Sequence, residues 1–323
     1  MTHPSPSHPA GDTATPAEEL HDLRWRGMKY VCRVVHTDPG AGHWRRPHPV
    51  TEPLLLLGGA LQDMYAWRRL ERRIAPHTPV ILADLPGTGT ADDLPEEEGF
   101  DTLAGAALHL LDALGLARVN VLGASYGAPI AYRMAQRRPD RVSRLLLSGA
   151  THRVTGTMRA FLREAVSHIE GTAPGPGESL DDACPGNGPY ADRLVRYLVN
   201  TEEDQRVQQS AAVQRLLRKQ ALRTTWRQAR RHAACHRRVL DPALLPQGGV
   251  TGVPALVFTG EHDITTSPRQ NRDVARTITG STLVLLKEAD HMAHLERDAE
   301  YAHLVLRFLH DEPLDDLDFA YTA

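Results

Sequence analysis

A serine between two glycines marks one place in the chain where side-chain chemistry could occur. Ser125 is flanked by Gly123 and Gly127 within the stretch VNVLGASYGAPIAYRMAQ, residues 119–136. The residues before Ser125 are apolar and β-branched, which is typical of a strand, whereas apolar residues after it recur at helical spacing. The pattern Gly-x-Ser-x-Gly also arises by chance. By itself it leaves open whether the serine reacts or only fits a tight turn.

An aspartate and a histidine, each after a later apolar run, could make this serine reactive. A serine hydroxyl is a weak nucleophile at neutral pH, so it needs a base to take its proton and a carboxylate to orient that base. Asp263 follows the run 253–260, and His291 follows the run 281–290. Ligands of open parallel sheets bind beyond the carboxyl ends of the strands, where these side chains would meet. The three residues therefore predict acyl chemistry through Ser125.

The elements that must position these residues follow an alternating pattern. Short apolar runs bounded by Gly and Pro alternate with helical patterns, as expected for strands buried on both faces and covered by helices. The sequence therefore predicts the α/β class, with a mostly parallel central sheet and helices on both faces. The expected strands are residues 26–36, 53–60, 79–89, 118–125, 142–150, 253–260 and 281–290, and the expected helices are residues 61–75, 100–116, 126–138 and 293–310.

The alternation stops in the middle of the chain, which indicates an insertion. Residues 151–250 are mostly helical in pattern, and we expect them to form a helical cap, or lid, over one end of the sheet. The core is then formed by residues 25–150 and 251–311. Residues 1–24 are expected to be a disordered N-terminal tail, and the acidic residues 312–323 a loosely held C-terminal tail.

Five segments of the chain resemble the α/β-hydrolase superfamily, specifically members with a serine nucleophile and a helical cap. The resemblance covers roughly residues 50–150 and 250–310, and the order serine, aspartate, histidine is the one found in this family. The five segments are LLLLGGALQDMYAW (54–67), ADLPGTG (83–89), GASYG (123–127), FTGEHD (258–263) and ADHMAHLE (289–296).

The resemblance implies a role for each candidate side chain. Ser125 corresponds to the nucleophile, His291 to the general base and Asp263 to the carboxylate that orients the base. Two alternatives stay open. His294 lies three residues after His291 and is a rival base, and Glu261 is a rival for the carboxylate.

The resemblance also implies an oxyanion hole, formed by the backbone N–H groups of Ala60 and Tyr126. The family usually carries His-Gly where this chain has Gly58-Gly59, so the side chain that supports this loop is not evident. Asp290 stands where relatives commonly have glycine. Its carboxylate could favour the imidazolium form of the catalytic histidine, but we expect it to face solvent.

The substrate pocket is expected next to this loop. Gly59, Met64 and Trp67 are predicted to line it, and Tyr65 in the same segment is a further candidate. An apolar helix packed on the sheet would explain Met64 and Trp67 equally well.

Composition excludes several other classes of protein. The chain has 323 residues and a formal net charge of −3, which argues against a nucleic-acid partner. No apolar run approaches the roughly 18 residues of a membrane helix, and the first residues do not resemble a secretion signal. Cys32, Cys184 and Cys235 lie far apart and predict neither disulfides nor a metal site, so we expect a cytoplasmic location. No metal and no organic cofactor is expected.

A basic segment within the expected cap, residues 214–238, has two interpretations. It could receive an anion, including an acidic carrier protein, or it could be a solvated helix face. The predicted partner is otherwise a small-molecule acyl substrate, with neither a nucleic acid nor a membrane, and the oligomeric state is not predicted.

The favoured function is a serine hydrolase that cleaves a small-molecule ester, thioester or lactone. One alternative is a lyase of the same fold that removes an acyl group in natural-product tailoring. Another is a non-catalytic ligand receptor.

Overall fold

The computed structural model describes residues 16–37, 43–45, 51–171, 174, 177, 179–184, 187–202, 204–242 and 244–323. These residues form one sheet covered by helices on both faces, which confirms the α/β class with a mostly parallel sheet. Residues 1–15 of the expected tail lie outside the described residues.

The described residues form a sheet of nine strands in the order β1-β2-β4-β3-β5-β6-β7-β8-β9. Strands β3 to β8 pair in parallel, whereas β1, β2 and β9 are antiparallel to their neighbours. Every residue of β3, β5 and β7 is buried, which explains their continuous apolar sequences. The strands are β1 (Ala17–Trp25), β2 (Met28–His36), β3 (Leu54–Leu57), β4 (Val80–Asp84), β5 (Val119–Ala124), β6 (Val142–Ser148), β7 (Ala255–Gly260), β8 (Thr282–Leu286) and β9 (Ala320–Thr322).

Helices cover both faces of the sheet. The core on one face takes residues from α2, α3 and α8, and the core on the other face takes residues from α1 and α10. The helices are α1 (Arg68–Ile74), α2 (Phe100–Leu114), α3 (Ala128–Arg137), α4 (Gly156–Glu170), α5 (Asn187–Leu198), α6 (Ser210–Leu222), α7 (Trp226–Val239), α8 (Pro268–Ala275), α9 (Ala293–Glu296) and α10 (Asp298–Leu309).

The four helices α4 to α7 lie between β6 and β7, within the segment 151–250. Helix α4 packs on α7, and α5 packs on α6. We call α4 to α7 the cap. Its action as a lid stays a prediction.

Both ends of the chain differ from expectation. The tail was expected to reach residue 24, but β1 begins at Ala17 and pairs along β2. Alternate β1 residues face inward, and Leu23 and Trp25 pack against the core. At the other end, β9 pairs with β8 and Ala320 is buried, so the last residues are held by the sheet.

Two predicted helices are shorter than expected. Helix α1 begins only at Arg68, because turns occupy the positions from Ala60 to Trp67. The final helix is interrupted at Arg297, whose φ is −133° and whose guanidinium donates to the carbonyl of Lys287. No helix in the described ranges has the length and apolar character to cross a membrane.

Candidate active site

Ser125 lies on a strained turn between β5 and α3. Its φ is +50°, in the left-handed region that side chains other than glycine seldom adopt. A Cβ on Gly123 would lie 2.5 Å from the carbonyl oxygen of Gly127, and a Cβ on Gly127 would lie 2.1 Å from that of Leu57. Both glycines are therefore required by close backbone contacts, as expected for a sharp strand-to-helix turn that exposes the serine.

The structure brings the other two predicted residues to Ser125. His291 Nε2 lies 3.1 Å from Ser125 Oγ, and His291 Nδ1 lies 3.0 Å from Asp263 Oδ2. Asp263 is in the loop after β7 and His291 in the loop after β8, so all three follow the carboxyl ends of parallel strands. The hydrogen bonds form one continuous chain from hydroxyl to imidazole to carboxylate.

Asp263 is fully buried, and several hydrogen-bond donors stabilise its carboxylate. Oδ1 accepts the backbone N–H groups of Thr265 and Thr266, both at 2.8 Å, and Oδ2 accepts the hydroxyls of Thr259 and Thr266. Burial raises the pKa of Asp263, but the charge of His291 and these hydrogen bonds outweigh it and lower the pKa. Asp263 is thus an anion at neutral pH.

The interaction between Asp263 and His291 shifts the pKa of His291 in the opposite direction. Burial lowers the pKa of His291, but the charge of Asp263 and their hydrogen bond outweigh burial and raise the pKa above its ordinary value. An imidazole with a raised pKa is a stronger base, and the imidazolium it forms is stabilised by the carboxylate.

The geometry separates His291 from His294. His294 Nε2 lies 3.0 Å from Gln62 Nε2, and its ring packs against that of Trp67 with centroids 4.3 Å apart. No hydrogen bond in the described part joins His294 to Ser125. Burial, then the nearby charge of His291, lowers the pKa of His294 to about 3, so the ring is neutral.

Glu261 is likewise engaged away from the histidine. It accepts the backbone N–H of Glu288 at 2.7 Å and the hydroxyl of Tyr321 at 3.3 Å. Asp263, not Glu261, contacts His291.

Two backbone N–H groups lie where the oxyanion hole was expected. Ala60 and Tyr126 both line the same cavity as Ser125. The N–H of Tyr126 is at the start of the short 3₁₀ turn Ser125–Gly127, where no partner exists within the turn. The N–H of Ala60 has no acceptor among the described residues. Both donors are therefore available to a ligand oxygen.

Gln62 supports the loop that carries Ala60, a role that the sequence did not reveal. Its Oε1 accepts the N–H of Gly59 at 2.7 Å, and its backbone N–H donates to the Gly59 carbonyl at 3.1 Å. Its Nε2 donates to His294, which must then carry its proton on Nδ1. Gln62 thus supplies the side-chain support that was not evident from Gly58-Gly59.

The cavity above Ser125 has a volume of about 400 Å³ and is enclosed by the turn after β3 and by the cap. Gly59 lines it, as predicted. The prediction for Met64 and Trp67 is wrong. Both are buried in the core on the α1 side, because backbone bonds to Asp84 and Arg33 turn Met64 inward and Trp67 stacks on His294. Tyr65, the further candidate in this segment, does line the cavity.

The expectation for Asp290 is also wrong, because this residue is fully buried. Its carboxylate accepts the N–H groups of Asn200 at 2.7 Å and Met292 at 2.8 Å, and its own N–H donates to Glu296 at 2.9 Å. Burial, then the charge of Asp290, raises the pKa of Glu296, so Glu296 carries the proton that the two carboxyls share. The pair of Asp290 and Glu296 thus supports the loop of His291, and the bond to Asn200 joins this loop to the segment that follows α5.

Three arginines of the basic segment bind another part of the protein, and both interpretations of the segment as a whole stay predictions. Arg231 pairs with Asp93 at 2.7 Å, and Arg237 pairs with Glu96 at 3.3 Å. Arg238 donates to backbone carbonyls of the same loop, including that of Glu98 at 2.9 Å. These arginines join α7 to the loop after β4, and an acidic carrier protein stays an untested prediction.

The described residues contain no group of three or more His, Cys, Asp and Glu side chains placed to hold a metal ion.

Comparisons with known proteins identify the family of the chain. The alpha/beta hydrolase fold model matches residues 52–298. A 2-hydroxy-6-oxononadienedioate/2-hydroxy-6-oxononatrienedioate hydrolase from Pseudomonas putida is 37% identical over 103 residues, which are 30% of this chain and 36% of the relative. A soluble epoxide hydrolase from Corynebacterium sp. (strain C12) is 36% identical over 108 residues, which are 32% of this chain and 37% of the relative. The matches thus span little more than a third of these curated relatives.

Solved structures agree over a longer span. The enol-lactonase from Burkholderia xenovorans LB400 superposes with a TM-score of 0.69 and 21% identity, over 90% of this chain and 99% of that chain. At that identity the likeness shows the fold alone. Because the family model covers well over half of the sequence, the chain belongs to the alpha/beta hydrolase fold family.

Proposed function

We propose that this protein is a serine hydrolase that cleaves an ester, thioester or lactone of a small molecule through an acyl-enzyme on Ser125. The observation that carries the proposal is the unbroken chain of hydrogen bonds from Ser125 through His291 to Asp263. The hydrolase names of the relatives support it at the level of the reaction class.

The first step forms the acyl-enzyme. Ser125 Oγ attacks the carbonyl carbon as His291 Nε2 takes its proton, and the N–H groups of Ala60 and Tyr126 bind the oxyanion that develops. His291 then gives the proton to the departing alcohol or thiol, or to the ring oxygen of a lactone. The carbon–heteroatom bond breaks, and the acyl group stays on Ser125.

The second step releases the acid. His291 removes a proton from water as the water oxygen attacks the acyl carbon, and the proton then passes to Ser125 Oγ as the ester bond breaks. Asp263 acts through His291. Its hydrogen bond keeps the proton of the neutral ring on Nδ1, so that Nε2 faces the serine as the acceptor, and its charge stabilises the imidazolium in both steps.

An isotope experiment separates this reaction from elimination. The protein is given 2-phenylethyl hexanoate in water enriched in oxygen-18, and the products are weighed by mass spectrometry. Hydrolysis places one solvent oxygen in the acid and releases 2-phenylethanol, and Ser125→Ala abolishes both. Unlabelled acid together with styrene would show breakage of the alkyl carbon–oxygen bond and move the protein to the lyases. Turnover of no ester, without covalent labelling of Ser125, would favour a receptor.

A further inference from the structure

The wall of the cavity formed by the cap is largely apolar. Helix α4 contributes Met158, Phe161 and Leu162, helix α6 contributes Leu217, and α7 contributes Val239. A cavity of about 400 Å³ lies within the range of small-molecule sites, and apolar walls favour hydrocarbon parts of a ligand.

No lysine or arginine lines this cavity in the described part of the chain. Arg231 and Arg238 of α7 are bound to the loop after β4. His232 and His236 do line it, but burial lowers their pKa to about 3 and about 4, so both rings are neutral. The cavity therefore offers no cation to a ligand carboxylate, apart from His291 beside Ser125.

Neutral polar groups nevertheless lie within the apolar wall. Tyr197 stacks on Phe161 with ring centroids 4.0 Å apart, and His236 lies edge-on to the same phenyl ring at 6.1 Å. The Tyr197 hydroxyl and the Nδ1 atoms of His232 and His236 are buried and have no hydrogen-bond partner among the described residues. A buried polar group without a partner is costly, so a ligand atom that hydrogen-bonds to one of these groups would remove that cost.

This cluster of Tyr197, His232 and His236 is linked to the reactive residues. Thr265 Oγ1, in the loop of Asp263, donates to the backbone carbonyl of Tyr197 at 2.6 Å. His236 follows Cys235, whose side chain shares a hydrogen bond with that of Tyr126, the residue after Ser125. Ser125, Tyr197, His232 and His236 also line one cavity, so an acyl chain on Ser125 that extends under the cap would lie beside these groups.

Building on the proposed function, we infer that the acyl group of the substrate is an uncharged chain with a hydroxyl or keto group that hydrogen-bonds to Tyr197 and the histidines of α7. A chain ending in a carboxylate is excluded, because its charge would be buried without a partner. In this respect the protein differs from the Pseudomonas putida relative, whose name specifies a dioate.

A matched pair of esters tests the charge. Mono-4-nitrophenyl suberate and its methyl ester have the same acyl chain and differ by one negative charge. We expect kcat/KM to be at least about 100-fold lower for the suberate, from the cost of an unpaired buried charge. Equal or faster hydrolysis of the suberate would overturn the inference.

A second series tests the polar cluster. The substrates are 4-nitrophenyl octanoates with one hydroxyl moved stepwise along the chain, compared with unsubstituted octanoate. At the best position, Tyr197→Phe and His236→Leu should each lower the ratio of hydroxylated to plain kcat/KM about 3- to 10-fold, the worth of one hydrogen bond. The control Tyr132→Phe removes a hydroxyl that binds Thr277 outside the cavity and should not change the ratio. Ratios that stay constant in all variants would refute the cluster's role.

If no ester is hydrolysed, the proposed function fails, but the preference of the cavity for neutral or charged chains can still be measured by binding. Methyl octanoate, methyl hydroxyoctanoates and monomethyl suberate are titrated calorimetrically into the Ser125→Ala protein. Binding of the neutral esters without binding of the suberate supports the inference, and preferential binding of the suberate contradicts it.

Discussion

Replacing Gln62 with leucine should reduce catalysis without changing substrate binding. Gln62 makes two side-chain hydrogen bonds, to Gly59 N–H at 2.7 Å and to His294 Nε2 at 3.0 Å. Leucine has nearly the same volume and makes neither. The loop that presents the Ala60 N–H then loses the side chain that fixes it, and an oxyanion donor acts only if it is already aimed at the transition state.

The size of the effect follows from these two bonds. A buried group that loses its hydrogen-bond partner costs about 1–3 kcal/mol. The variant leaves one or both of Gly59 N–H and His294 Nε2 without a partner, so the ordered loop is destabilised by one or two such costs. Loss of a whole oxyanion donor, about 10²- to 10³-fold in kcat, is the upper limit, since Ala60 itself remains. We therefore expect kcat to fall about 10- to 100-fold and KM to change less than about 3-fold, because the oxyanion forms only in the transition state.

Gln136 provides a matched control. Its Nε2 also makes two hydrogen bonds, to the carbonyls of Gln247 and Gly249, both at 2.8 Å, but it lies away from the cavity. Steady-state hydrolysis of a 4-nitrophenyl ester is measured for Gln62→Leu and Gln136→Leu, with thermal unfolding of both. Equal kcat values for the two variants would show that Gln62 does not position the oxyanion loop.

Three further predictions concern the histidines and the buried carboxyls. His291→Ala should lower kcat by about 10⁴-fold or more, whereas His294→Ala should lower it only about 10-fold through the loss of Gln62 support; the reverse order in folded variants would identify His294 as the base. Asp263→Asn removes the charge that raises the pKa of His291, so the acid limb of the kcat/KM profile should move to lower pH while the maximal rate falls; an unmoved limb would contradict this coupling. Burial raises the pKa of Glu296 in the folded protein, so the stabilisation from its protonated side chain is present at low pH and is lost as pH rises toward the folded pKa. The melting temperature of Glu296→Gln should therefore rise relative to that of the unaltered protein between about pH 5 and about pH 9. A difference in melting temperature that does not change with pH would refute this assignment.

Much of the core could be predicted because its signals are local. Strands such as β5 and β7 are buried along their whole length, so their sequences are continuously apolar. The reactive residues follow the ends of such strands, and Ser125 also carries the glycines that its turn requires. Strand β1 was missed because its burial alternates and many of its residues are polar, which resembles the tail before it.

The errors concern contacts between residues far apart in the chain. Gln62 and His294 are separated by 232 positions, and nothing near Gln62 indicates its partner. Asp290 is buried because Asn200 of the cap and Glu296 both cover it. The pocket prediction for Met64 and Trp67 rested only on their position after the oxyanion segment, but contacts with distant residues place both side chains in the core.

The most direct test of the account is the covalent labelling of Ser125. A fluorophosphonate is added to the protein, to Ser125→Ala and to Asp263→Asn, and intact masses are followed with time. The hydrogen-bonded chain predicts one adduct on the unaltered protein, mapped to Ser125 by peptide sequencing, none on Ser125→Ala, and much slower labelling of Asp263→Asn. Labelling of Ser125→Ala at the same rate as the unaltered protein, or an adduct on another residue, would contradict the assignment of Ser125 as the nucleophile.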